Sequence, residues 1–102
     1  MHESVYTLGA WRVRTGREAE FVAAWEELGQ IFAALPHPPT GRGTLLQSTE
    51  DPGLFYSFGP WRRLEDIEAM RANPPAREGI TNLIALCTEA TPGSFRVVAE
   101  SD

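Results

Sequence analysis

Five side chains in this sequence are of the types that small-molecule chemistry uses: Tyr6, His37, Tyr56, Trp61 and Arg77. Trp61 follows an aromatic run, Leu54-Phe55-Tyr56-Ser57-Phe58, and a Gly59-Pro60 break. The pattern predicts a strand that ends at a corner and delivers the indole there, where a pocket wall would stand. Such an indole offers one N–H donor and a flat apolar face. Tyr6 and Tyr56 could orient an aromatic ligand, but tyrosines on half-buried strands also serve as packing. His37 carries an imidazole, the side-chain type most often used as a general base. It sits in a stiff loop, Pro36-His37-Pro38-Pro39, with no partner close in sequence. Arg77 falls on the inward side of a helical pattern, where a guanidinium must pair, snorkel or meet an anion. Arg71 is a weaker candidate of the same kind.

Other residues read as structural. Trp25 lies on a helical apolar stripe, Trp11 on a strand, and Cys87 on the inner stripe of the last helical pattern, as a buried thiol. Asn82 falls off that stripe, and His2 is near the terminus with no evident partner. There is no carboxylate pair, no Ser/His/Asp set and no metal-ligand spacing. Gly41-Arg42-Gly43 lacks the length and lysine of a phosphate loop. Neither a metal nor a cofactor is expected.

The 102 residues predict one domain, 1–102, with one modest core. The net charge is −5 and every basic side chain is a scattered Arg, which argues against nucleic acid as a partner. A single cysteine allows no internal disulfide. The first residues, MHESVYTLG, lack the pattern of a signal peptide, and no apolar run would span a bilayer. A soluble, cytoplasmic protein is expected.

The elements that would position these side chains follow from periodicity and turn chemistry. Val5 to Val13 alternates as a strand, with Val5, Thr7, Gly9, Trp11 and Val13 on one face. Thr15-Gly16-Arg17-Glu18 fits a capping box. The spacing of Phe21, Trp25, Leu28, Phe32 and Leu35 then makes one helical stripe. Thr44 to Thr49 and Leu54 to Phe58 form a hairpin around Glu50-Asp51-Pro52-Gly53. A second helix follows Trp61 and runs to about Ala72, with Arg62 and Arg63 poorly suited to its first turn. Asn73 caps a third helix, and Thr91-Pro92-Gly93 stops it. Phe95 to Ala99 is the last strand.

The order β-α-β-β-α-α-β predicts an α+β, ferredoxin-like fold with a four-stranded antiparallel sheet and helices on one face. The strands are nonetheless apolar on both faces, as at Leu45 and Leu46, Phe55 and Tyr56, Val97 and Val98. Each such side chain left wet would forgo roughly 1.5–3 kcal/mol. A homodimer packed through the sheet face is the expected remedy.

The sequence resembles the antibiotic-biosynthesis-monooxygenase-like family of dimeric α+β barrels. The resemblance rests on Trp11-Arg12-Val13 ending the first strand, Phe21 and Trp25 on the next helix, the GTLLQSTEDP strand, and FYSFGPW before an acidic helix. In the oxygenase members it implies cofactor-free chemistry on a small aromatic or hydrophobic substrate. The deprotonated substrate reacts directly with O₂, and the protein supplies desolvation and oxyanion donors. Trp61 matches the tryptophan that lines the family's pocket. Haem-degrading relatives use an Asn on the first strand and a His after the tryptophan. Neither occurs here, so haem degradation is disfavoured. The missing histidine also favours the alternative of a non-catalytic dimeric binding module on the same scaffold.

Overall fold

The computed structural model describes residues 4–102, so His2 lies outside the described residues. Its elements run β1 (Val5–Val13), α1 (Glu18–Ala33), β2 (Thr44–Gln47), β3 (Leu54–Trp61), α2 (Leu64–Ala72), α3 (Pro74–Ala85) and β4 (Cys87–Arg96). The four strands form one antiparallel sheet in the order β2-β3-β1-β4. This is the expected α+β, ferredoxin-like arrangement.

The inner face of the sheet carries the core. Phe21 from α1 is fully buried between the rings of Trp11 and Phe55, at centroid distances of 5.7 and 5.2 Å. Leu28, Leu83 and Leu86 close that cluster. A second cluster joins Val5 and Trp61 to Ile67, Met70 and Ala76. The helical stripe of α1 therefore lies where its spacing requires, with Phe21 and Leu28 fully inside and Trp25 and Phe32 packed against them.

Several boundaries differ from expectation, each for a local reason. The capping box does not form: Gly16 adopts φ 87°, which glycine alone takes at little strain, and no side chain caps α1. Arg17 instead forks onto Glu20 with two hydrogen bonds of 2.7 and 2.9 Å. The strand β3 does not break at Gly59-Pro60 but continues to Trp61. Pairing with β2 ends at Phe58, so Pro60 stands where its missing N–H is not needed by that neighbour. Its carbonyl accepts from the Thr40 N–H at 3.0 Å.

Helix α2 begins only at Leu64, placing Glu65 and Asp66 rather than the arginines in its first turn, as the helix dipole favours. Asn73 caps α3 as expected, its side chain accepting from the Ala76 N–H at 3.2 Å. That helix ends early, at Ala85, and β4 starts at Cys87 instead of Phe95. Cys87 is thus a buried strand residue rather than a helical one, and its Sγ–H donates to the Leu83 carbonyl at 3.3 Å. Burial pushes its thiol pKa up, which suits a structural role. No described helix is long and apolar enough to cross a membrane.

Candidate functional site

Strand alternation and register decide what faces the helices. On the inner side, β1 presents Val5, Thr7, Gly9 and Trp11 opposite Trp61, Gly59, Ser57 and Phe55 of β3. The centre of this patch is built of small residues: Thr7, Gly9, Ser57 and Gly59. The two indoles stand at its ends. Gly9 has to be small, because a Cβ there would come within 2.7 Å of the Trp11 ring.

Above this floor, between the sheet and the helices, lies a cavity of about 780 Å³. Trp25, Phe32 and Met70 form much of its upper wall, and Pro38, Pro39 and Arg42 of the α1–β2 loop border it. A volume of that order suits a small organic ligand.

Two hydrogen bonds organise the polar groups on the floor. The Trp11 Nε1–H donates to Ser57 Oγ at 2.9 Å, and the Trp61 Nε1–H donates to Thr7 Oγ1 at 3.1 Å. Each indole reaches across to the neighbouring strand, one alternation beyond its own partner in the register. A hydroxyl that accepts from an indole keeps its own proton to give, so Thr7 and Ser57 can each donate to a ligand oxygen. The indole bond polarises that hydroxyl in the same direction, which strengthens the second donation. Trp61 Nε1–H is itself engaged, so its donor character reaches the cavity through Thr7.

The titratable lining is sparse. Among the described residues, Glu26, Arg42 and Arg71 are its only ionisable side chains, and no histidine or aspartate is among them. No group of three or more potential metal ligands occurs among the described residues.

Of the five side chains singled out from the sequence, Trp61 lines the cavity and is buried. Tyr6 and Tyr56 lie on the opposite face of the sheet, Tyr56 exposed and Tyr6 half-buried beside a small pocket that also involves Thr40 and Arg62. His37 is exposed on the loop whose neighbours Pro38 and Pro39 border the cavity, and Arg77 is exposed on α3. The structure thus brings Trp61 together with Thr7, Ser57, Trp11 and Trp25, and not with the other four. Thr7 and Ser57 escaped sequence reasoning because a lone hydroxyl on an apolar strand reads as neutral. The available signal was the need of a buried indole for an acceptor.

No family model and no curated protein matches the sequence. Solved structures do match. A variant of SnoaB, a cofactor-independent oxygenase from Streptomyces nogalater, superposes with a TM-score of 0.83 at 24% identity, over 95% of this chain and 95% of its own. The fold is antibiotic-biosynthesis-monooxygenase-like. Two structures that bear the description "putative antibiotic biosynthesis monooxygenase" share this fold. That from Bordetella bronchiseptica has a TM-score of 0.80 at 18% identity, over 95% of this chain and 99% of its own. That from Nitrosomonas europaea gives 0.79 at 16%, over 100% and 97%. In this monooxygenase-like fold the cavity occupies the space between sheet and helices, with Trp61 at the end of its floor.

Proposed function

We propose that the chain is a cofactor-independent oxygenase acting on a small aromatic substrate. The observation that carries this reading is the pair of indole-supported hydroxyls, Ser57 and Thr7, on the floor of an otherwise largely apolar cavity. A fitting substrate is a phenolic or anthrone-type ring with an acidic C–H. Its proton leaves to water, and the negative charge spreads onto the ring oxygen, where the hydroxyls donate. The carbanion bonds to one oxygen atom of O₂ and the peroxide formed takes up a proton. The O–O bond then breaks with loss of water, so that one CH₂ and one O₂ give one C=O and one H₂O. The apolar walls Trp25, Phe32 and Met70 keep bulk water from competing for the anion.

The test is oxygen uptake with an anthrone as substrate. The parent protein should consume O₂ above the spontaneous rate, and Ser57→Ala should lower kcat by roughly a hundredfold to a thousandfold. If the parent does not exceed the spontaneous rate with any anthrone or quinol, the oxygenase reading fails. The alternative, a binding module on the same scaffold, is favoured by one observation: among the described residues Glu26 is the single carboxylate and no histidine lines the cavity to serve as a base. In that case ligand binds but O₂ uptake stays at background.

The outer sheet face supports a second part of the proposal. Leu46, Tyr56 and Phe95 are 51%, 45% and 55% exposed there, an apolar strip left bare by the chain's own helices. We infer that two copies pack sheet to sheet. Light scattering should give the mass of a dimer at micromolar concentration, and a monomer mass would overturn this.

A further inference from the structure

We propose that Gly59 is the specificity-determining residue of the cavity: its missing side chain sets how large a ring system can rest on the floor. The inference depends on the small-ligand reading above and adds the position that selects by size.

The floor is a two-by-two block. Register pairs Thr7 with Gly59 and Gly9 with Ser57, so each hydroxyl residue stands opposite a glycine on the neighbouring strand. Gly9 and Gly59 are both buried, and both line the cavity. Their surroundings differ. A Cβ on Gly9 would lie 2.7 Å from three atoms of the Trp11 indole, so that ring already covers Gly9 and fills the space above it. A Cβ on Gly59 would meet, beyond its chain neighbours, one atom within 4 Å: the Gly43 Cα, in ordinary contact at 3.4 Å. Protein interiors are close-packed, so a buried position with so little against it borders open space. That space belongs to the cavity.

The backbone does not require glycine at position 59. Among the described residues Gly16 is the one glycine with positive φ, and the residue before a proline, here Pro60, is held in extended backbone that any side chain allows. A glycine inside a strand also weakens the sheet. Neither backbone nor neighbours account for the missing side chain, whereas room for a ligand does.

The rings beside the gap are fixed in place. Trp61 donates to Thr7 and meets the Phe32 ring edge-on at a centroid distance of 5.4 Å. The Trp25 ring lies 3.5 Å from where a Cβ of Gly43 would stand. A ligand oxygen that accepts from Thr7 or Ser57 therefore brings its adjoining ring over one of the two glycines. Trp11 excludes Gly9, which leaves Gly59. A side chain there would lift the ring off the floor. A single ring has room to slide aside in a cavity of about 780 Å³, and a three-ring body has less.

The experiment is equilibrium dialysis of the full chain against three probes that share one hydroxy-ketone edge and differ in ring number: 2′-hydroxyacetophenone, 8-hydroxy-1-tetralone and 1-hydroxyanthraquinone. Gly59→Ala should weaken the three-ring probe by roughly tenfold and leave the single-ring probe within about a factor of two, as one methyl intruding on a filled pocket would do. Gly59→Leu should abolish binding of the three-ring probe. The melting temperature of Gly59→Ala should equal or exceed that of the parent, because the position is open and alanine suits a strand better than glycine. Equal affinity of parent and both variants for the three-ring probe overturns the inference while the cavity reading stands. So does a lowered melting temperature with equal loss of all three probes, which would make Gly59 a packing residue. If no probe binds the parent, the small-ligand reading fails and takes this inference with it.

Discussion

The two faces of the sheet are built from alternate residues of the same strands, and they differ less in polarity than in size. The inner face, covered by the chain's own helices, holds the small residues Thr7, Gly9, Ser57 and Gly59 at its centre. The outer face, which no helix covers, holds Tyr6, Leu46, Tyr56, Phe58 and Phe95. A simple core would reverse this, filling the covered side with bulk. Small residues beneath helices leave room, and large residues without a cover leave apolar surface. On the reading proposed above, the covered face serves a ligand and the bare face another protein surface. Hydropathy alone does not separate these roles, whereas side-chain volume does.

Substitutions on the two faces should break this contrast in graded ways. The largest effect is expected for Phe55→Ala on the inner face. It removes a ring packed at a tilt against Phe21 and should lower stability by about 3–5 kcal/mol, read by urea denaturation. Tyr56→Ala, one residue along on the outer face, should leave the monomer's stability within about 1 kcal/mol and instead shift the dimer towards monomer in light scattering. Equal destabilisation by both would mean that the faces are not distinct.

Gly9→Val comes next. Its Cβ meets the Trp11 ring at 2.7 Å, so the indole must shift at a penalty of roughly 1–3 kcal/mol, and ligand binding should weaken with it. Ser57→Ala strands the Trp11 N–H and should destabilise by about 1–3 kcal/mol while Ser57→Thr, which keeps a hydroxyl, loses less.

The smallest effect belongs to the turn at the edge of the sheet. Arg12 hydrogen-bonds to Asp51 and holds its carboxyl below the usual carboxylate range. A depressed carboxylate stabilises the fold above its ordinary pKa, and that contribution is lost as pH falls through the folded value. Acid unfolding of Arg12→Gln should therefore be slightly less steep below about pH 4 than that of the parent. The exposure of both partners keeps the difference small.

Much of the architecture was legible because it rests on patterns with one solution. The stripe Phe21, Trp25, Leu28, Phe32 admits only a helix, and Asp51-Pro52-Gly53 only a turn. The last strand was misread because Thr91-Pro92-Gly93 has the chemistry of a stop. As an edge strand, however, β4 has one side free of the ladder, and there a proline is tolerated. The break assigned to Gly59-Pro60 failed for a related reason, since β2 is too short to pair beyond Phe58. Both errors share a cause. A residue's neighbours across the sheet, which sequence spacing does not reveal, decide whether a proline ends a strand. The site followed the same rule. Trp61 was visible as an indole after an aromatic strand, but its acceptor Thr7 lies 54 residues away and becomes a partner only through register.

The placement of the aromatic residues has an optical consequence. All three tryptophans of the chain, Trp11, Trp25 and Trp61, line the one cavity, and both tyrosines, Tyr6 and Tyr56, belong to the opposite face. Emission excited at the red edge, where tyrosine does not absorb, thus originates wholly from the cavity walls. Near-ultraviolet tyrosine absorbance originates from the bare side. Red-edge tryptophan emission thus reports on the cavity side of the sheet without any label.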